Sequence, residues 1–112
     1  MERVGFTMRL LPGQEAEYRR RHAAVWPEML DALRMAGCRD YSIFIRGSDL
    51  FAHLVVDDFA AFRASMAASA VNARWQFEMA ALIDPLTDPA TGFHQRLEEI
   101  FHFDGASAGA DA

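Results

Sequence analysis

Residues 41–56 read YSIFIRGSDLFAHLVV, in which two mostly apolar segments flank a short polar segment. Both halves are rich in β-branched and aromatic residues, and residues 47–49 between them, Gly-Ser-Asp, are typical of a tight turn. The pattern therefore predicts a β-hairpin in the middle of the chain. Ile43 and Phe44 fall on opposite faces of its first strand, so apolar side chains are expected on both faces of the sheet.

On the amino-terminal side, residues 4–10 alternate between apolar and other side chains, which predicts a first strand with one buried face. Residues 14–35 then show a helical pattern interrupted by Pro27. Proline lacks the N–H that an interior helical position donates, so we expect a kink or a restart there. Gly37 is a natural end for this helix.

On the carboxy-terminal side, Asp57 or Asp58 can cap a second helix, whose pattern continues to about Leu82 and weakens near Ser69. Residues 96–103 read as a last strand. The element order is then β-α-β-β-α-β, which predicts an α+β, ferredoxin-like fold. Both helices would cover one face of a four-stranded sheet. A pocket between sheet and helices, or a dimer that stacks sheet on sheet, would bury the remaining apolar groups.

Length and composition place the chain among small globular domains. Its 112 residues suit one domain, which we assign to residues 1–104, followed by a flexible, small-residue tail at residues 105–112. A formal net charge of −5 argues against nucleic-acid binding. The single cysteine, Cys38, cannot form an internal disulfide and suits a reducing compartment. No apolar run approaches a membrane span, so we expect a soluble, cytoplasmic protein.

Several kinds of site are poorly supported by the sequence. The histidines His22, His53, His94 and His102 show no metal-ligand spacing, and Cys38 stands alone, so no metal site is predicted. No glycine-rich phosphate loop and no Gly-x-Ser-x-Gly nucleophile elbow occurs. His102, near the end of the last strand, is more simply explained as an edge or interface residue than as a catalytic one.

A polar and aromatic group in the first helix remains as the candidate site. Tyr18, His22 and Trp26 are spaced four residues apart, so on a helix they share one face. The unperturbed pKa of histidine, near 6.5, suits proton transfer at neutral pH. Tyr41 and Trp75 could add a hydroxyl contact and a stacking surface. The alternative interpretation is a helix packed on the core with His22 at its boundary.

The same stretch resembles a known family. Tyr18 followed by residues 20–28, RRHAAVWPE, is similar to the signature of the L-rhamnose mutarotases. The likeness extends through residues 40–44, the Arg-Trp pair at 74–75 and residues 97–101. The resemblance implies a protein of the dimeric α/β-barrel type that interconverts the α and β pyranose anomers of L-rhamnose without a cofactor.

The resemblance also implies roles for individual residues. His22 matches the family's proton-donating histidine, and Tyr18 and Tyr41 match its sugar-binding tyrosines. The family's Trp-Trp pair corresponds to Trp75 and Gln76, so the second tryptophan is replaced by an amide. This replacement leaves the reaction type intact and leaves open whether the sugar is L-rhamnose or a related 6-deoxy sugar such as L-fucose.

The expected chemistry is acid and base catalysis of ring opening. The anomeric hydroxyl loses a proton while the ring oxygen gains one, and the aldehyde rotates before it closes on its other face. His22 is the expected acid at the ring oxygen, and the proton acceptor is left open among a tyrosine, a carboxylate and bound water. Two alternatives are a cofactor-free monooxygenase of the dimeric α/β-barrel type and a non-catalytic ligand-binding module. We expect a homodimer in each case.

Overall fold

The computed structural model of the protein describes residues 1–105. Its elements follow the predicted order, with each of the two expected helices divided in two and with two short strands at the end. They are β1 (Glu2–Leu10), α1 (Glu15–His22), α2 (Pro27–Met35), β2 (Cys38–Arg46), β3 (Asp49–Val56), α3 (Phe59–Ala68), α4 (Ala70–Met79), β4 (Ile83–Asp84) and β5 (Gln95–Leu97).

All strand pairs are antiparallel, and the sheet runs in the order β2-β3-β1, with β4 and β5 both beside β1. Leu10 pairs with Ile83, and Thr7 pairs with Gln95, so two short strands together form the fourth position of the sheet. This topology is the ferredoxin-like arrangement, as predicted. The hairpin is confirmed as well, because Arg46 pairs with Asp49 across a two-residue turn.

Local signals explain where the helices break. Pro27 is the first residue of α2, and Trp26 before it is extended, with ψ of 135°, as expected for a residue that precedes proline. The Asp58 carboxylate accepts a hydrogen bond from the Ala61 N–H at 2.8 Å and caps α3. Ser69 is extended and caps α4 in the same way, so it separates α3 from α4.

The core lies between the helices and one face of the sheet. Alternate residues of β1 and β3 are buried there, namely Val4, Phe6, Met8, Leu10, Leu50, Ala52, Leu54 and Val56. The opposite face is uncovered in a single chain. It exposes Phe44 and Phe51, which pair across β2 and β3 and are 62% and 40% exposed, together with Leu97 of β5.

The predicted last strand at residues 96–103 is wrong in its extent, because the strand covers only Gln95–Leu97. Continuing the register of β5 on β1 would place Phe101 beside Met1 and leave residues 102–103 without a partner. The same register would place Glu99 beside Arg3, and there the Arg3 side chain donates two hydrogen bonds of 2.8 Å to the Glu99 carboxylate. Residues 106–112 of the predicted tail lie outside the described residues. Among residues 1–105, no helix combines the length and the apolar character needed to cross a bilayer.

Candidate active site

A cavity of about 610 Å³ lies between the helices and the buried face of the sheet. This volume is in the usual range for small-molecule sites. Its walls come from distant parts of the chain and include Phe6 of β1, His22 of α1, Tyr41 of β2, Trp75 and Gln76 of α4, and His94. Of the six residues that the sequence singled out, four therefore line one cavity, and Tyr18 and Trp26 are not among its lining residues.

His22 is the last residue of α1, and its ring is fixed by the helix itself. Nδ1 lies 2.9 Å from the Tyr18 carbonyl oxygen. A carbonyl oxygen only accepts hydrogen bonds, so Nδ1 carries the proton and donates it. Nε2 is then the ring nitrogen that can exchange a proton with a ligand. Burial lowers the pKa of His22 below its usual range, so at neutral pH Nε2 is predominantly an acceptor.

Tyr18 lies behind His22 rather than on the cavity wall. Its ring stacks on the imidazole with centroids 4.1 Å apart, and the residue is only 5% exposed. Burial raises the pKa of the phenol to about 12, so the hydroxyl stays protonated at neutral pH. Of the predicted site residues, Tyr18 is thus the one that the structure places in contact with His22 but outside the residues lining the cavity.

Trp75 packs against His22, and Trp26 packs against Trp75 in turn. The buried Trp75 meets the imidazole edge to face at 5.4 Å and meets Trp26 edge to face at 5.0 Å. Trp26 reaches this position from the break between α1 and α2, so the predicted stripe does not continue on a single helix. An ion pair between Arg21 and Glu78 also joins α1 to α4. Together these contacts keep the imidazole at a fixed place in the wall.

Tyr41 and Gln76 provide polar groups at the cavity wall. Burial raises the pKa of the Tyr41 phenol, and the nearby Tyr18 phenol adds to the effect. Tyr41 also packs edge to face against Phe6 at 6.4 Å. Gln76 is exposed and donates a hydrogen bond of 3.1 Å to the Asn72 side chain, so its amide remains accessible at the cavity. Both residues can therefore offer hydrogen bonds to a polar ligand.

Sequence reasoning missed His94 as a site residue. Its ring stacks on Phe6 with centroids 4.6 Å apart and planes 9° apart, and its Nδ1 lies 2.7 Å from the Pro85 carbonyl oxygen. Strand parity identifies it only once the pairing is known: Arg96 pairs with Phe6, so a residue two positions earlier shares the buried face. His102, the weaker candidate, is exposed and lies outside the cavity-lining residues.

The arrangement suits proton transfer on a polar, ring-shaped ligand. Aromatic side chains form walls on which a sugar ring can pack, and the polar groups of Tyr41 and Gln76 can bind hydroxyls. His22 presents Nε2 to the cavity, and an imidazole nitrogen can accept a proton from a ligand and return it. Within residues 1–105, no three His, Cys, Asp or Glu side chains come close enough together to hold a metal ion.

Comparison with known proteins gives one consistent result. The sequence model of the L-rhamnose mutarotase family matches residues 3–103. An L-rhamnose mutarotase from Burkholderia orbicola is 42% identical over 105 residues, which cover 93% of this chain and 100% of that protein. One from Listeria monocytogenes is 37% identical over 106 residues, covering 91% of this chain and 98% of the relative.

A solved structure agrees with these relatives. The crystal structure of an L-rhamnose mutarotase from Formosa agariphila superposes with a TM-score of 0.75 at 31% identity, covering 93% of this chain and 100% of that one. These similarities support the predicted sugar isomerase and give no support to the monooxygenase or binding-module alternatives. The chain belongs to the L-rhamnose mutarotase family.

Proposed function

We propose that this isomerase interconverts the α and β pyranose anomers of L-rhamnose in the cavity that His22 lines. The observation that carries the proposal is the arrangement of the His22 imidazole: its Nδ1 is committed to the Tyr18 carbonyl at 2.9 Å, which leaves Nε2 for the ligand. A single exchangeable proton at a fixed point is what general acid–base catalysis requires.

His22 exchanges its proton with the ring oxygen of the sugar. When Nε2 donates and the anomeric hydroxyl gives its proton to an acceptor, the bond between the anomeric carbon and the ring oxygen breaks, and the electron pair of that bond takes the proton from Nε2. The open aldehyde rotates about its bond to the second carbon. Closure on the other face returns the proton from the new hydroxyl to Nε2, and the acceptor returns its proton to the carbonyl oxygen, so the enzyme ends the cycle unchanged. Such assistance is typically worth about 10² to 10⁴ in rate.

The remaining predicted residues bind the sugar or support His22. Trp75 offers an apolar wall for a face of the pyranose, and Tyr41 and Gln76 offer hydrogen bonds to its hydroxyls. The stacked Tyr18 ring orients the imidazole, and its hydroxyl is near enough to Tyr41 to affect the pKa of that phenol. Because the Tyr18 ring packs behind His22, its hydroxyl is the group through which Tyr18 would bind the sugar.

The second part of the proposal is a homodimer formed through the open sheet face. Phe44, Phe51 and Leu97 expose apolar side chains there, and Ile100 and Phe101, which follow β5 in the chain, are exposed as well. A soluble monomer seldom exposes a continuous apolar surface of this kind. A cytoplasmic location is also proposed, because the free thiol of Cys38 is buried and suits a reducing compartment.

The test of the function is NMR saturation transfer between the two anomeric proton signals of L-rhamnose, with L-fucose in parallel. We expect the purified protein to accelerate exchange of L-rhamnose above the buffer rate, and the acceleration to saturate with sugar concentration. Acceleration of L-fucose alone would overturn the assignment of the sugar but not of the reaction. No acceleration for either sugar would contradict the proposed function.

A further inference from the structure

The reaction needs a proton acceptor as well as a donor, because the anomeric hydroxyl must lose a proton when the ring oxygen gains one. We propose that His94 is this second proton-transfer residue. The inference deepens the proposed mutarotase function and rests on it. His94 lies outside the first predicted helix, which supplies Tyr18, His22 and Trp26.

The position of His94 in the cavity supports this role. His94 lines the same cavity as His22 but comes from a distant part of the chain, just before β5. Its ring lies flat on Phe6, whose ring also meets Tyr41 edge to face, so imidazole and phenol share one aromatic floor. A pyranose on this floor would have His22 and His94 as imidazole neighbours within one cavity.

The orientation of the His94 imidazole also supports this role. Nδ1 of His94 lies 2.7 Å from the Pro85 carbonyl oxygen, which can only accept a hydrogen bond. Nδ1 therefore carries the proton, and Nε2 is the nitrogen available to a ligand. This is the same use of the two ring nitrogens as in His22, where the Tyr18 carbonyl has the role of Pro85. Burial lowers the pKa of His94, which favours the neutral, proton-accepting form.

The loop that carries His94 is held firmly. The Asp88 N–H donates to the Phe93 carbonyl at 2.7 Å, and a bridge pairs Thr87 with His94. Arg63 of α3 donates to the Thr91 carbonyl at 3.0 Å and lies over the Phe93 ring. A group that must meet a reacting hydroxyl needs such support, since loosely held side chains rarely keep a productive geometry.

The proton balance is closed by the two histidines. His94 Nε2 accepts the proton of the anomeric hydroxyl while protonated His22 donates to the ring oxygen, and the bond between the anomeric carbon and the ring oxygen breaks. The aldehyde rotates, and closure reverses both transfers: His94 returns its proton to the carbonyl oxygen, and His22 takes the proton of the attacking hydroxyl. No oxidant, reductant or further reactant is required.

The pH dependence follows from this pairing. In the active form Nε2 of His22 is protonated and Nε2 of His94 is not. The catalysed rate therefore falls at low pH, where both Nε2 atoms are protonated, and at high pH, where neither is. Within the described residues, the other titratable or charged side chains lining the cavity are Tyr41 and Arg63. Arg96, on the same strand face as His94, lies over the Phe59 ring at 4.9 Å.

The experiment compares His94→Asn with the wild-type protein by NMR anomer exchange of L-rhamnose across pH. Asparagine can still donate to the Pro85 carbonyl but cannot accept the hydroxyl proton. We expect kcat to fall about 10²-fold or more with a small change in KM, and the decline of the rate at low pH to disappear. His102→Asn, an exposed histidine outside the cavity wall, is the matched control and should behave as wild type.

His94→Phe keeps the stacking on Phe6 and removes both ring nitrogens, so it provides a second folded variant if asparagine impairs folding. It should show the same loss of kcat. Wild-type kcat and an unchanged pH profile in either folded variant would overturn the role of His94. Absence of catalysis in the wild-type protein would instead reject the proposed function, so the two failures are distinguishable.

Discussion

At the level of single residues, two backbone carbonyls orient the two imidazoles: that of Tyr18 binds His22, and that of Pro85 binds His94. The helical spacing of Tyr18 and His22 is visible in the sequence, and so is the residue type that can transfer protons. The stacking of these two rings follows directly from that spacing. The position of His94 could not be predicted in the same way, because it depends on β5 pairing with β1, a contact between residues about 90 apart.

Gln76 gives a residue-scale prediction about affinity. It stands where relatives are expected to have a second tryptophan, and its amide is exposed at the cavity wall. Gln76→Trp adds a stacking surface worth about 0.5–1.5 kcal/mol, so KM for L-rhamnose should fall roughly 2- to 12-fold. KM is measured as the L-rhamnose concentration at which the catalysed NMR exchange rate reaches half of its maximum. Phe77→Trp, an exposed neighbour outside that cavity, should leave KM unchanged, and an unchanged or higher KM in Gln76→Trp would contradict the argument.

The two buried histidines also make stability depend on pH. Burial lowers the pKa of His22 and His94 in the folded state, so the unfolded chain binds more protons just below pH 6.5. Above about pH 6.5 both imidazoles are neutral in either state, and the free energy of unfolding is not reduced. As the pH falls from 6.5 towards the lower pKa values of the folded state, proton binding to the unfolded chain reduces the free energy of unfolding. Thermal unfolding followed by circular dichroism at pH 7.5 and 5.5 tests this.

The variant for that measurement is the double substitution His22→Asn and His94→Asn. We expect its melting temperature to fall less than that of the wild-type protein between the two pH values. Carboxylates such as Glu17, whose pKa the hydrogen bonds from Arg20 and Arg21 lower to about 2, affect stability only at lower pH. An equal fall in both proteins would show that the histidines do not carry the effect.

At the level of helices and strands, the residue types at Pro27 and Ser69 account for where the helices divide. The extent of the last strands depends instead on their pairing with β1. Pro27 begins α2, and Ser69 separates α3 from α4, both as their side chains suggest. The division of the last sheet position into β4 and β5 was not predicted. It arises because Ile83–Asp84 and Gln95–Leu97 each pair with a different part of β1, and nothing in their own sequences specifies that partner.

The cap of α3 gives an element-scale prediction. Asp58→Ala removes the acceptor for the Ala61 N–H and should lower the free energy of unfolding by about 0.5–2 kcal/mol. Asp58→Asn keeps an oxygen that can accept the same hydrogen bond, so it should retain nearly all of the stability. Urea unfolding of the three proteins measures the difference. Equal losses in both variants would mean that the cap contributes nothing and that the charge alone matters.

At the scale of the whole molecule, the open sheet face predicts assembly. The apolar residues on both faces of β2 are already visible in the sequence, and the structure places Phe44 beside Phe51 on the face that no helix covers. Phe44→Glu should convert the proposed dimer to a monomer, measured by light scattering at micromolar concentration. Phe77→Glu changes a phenylalanine that is 79% exposed on α4 and should remain dimeric. A monomeric wild-type protein would contradict the proposed interface.

We propose that His22 catalyses anomer exchange of L-rhamnose in the cavity between sheet and helices. The most direct measurement compares the saturating NMR exchange rate of wild type with that of His22→Asn, with His102→Asn as the control. We expect His22→Asn to lose about 10²- to 10⁴-fold of the catalysed rate, down to the buffer rate, while the control keeps it. A folded His22→Asn protein that catalyses exchange at the wild-type rate would contradict the account.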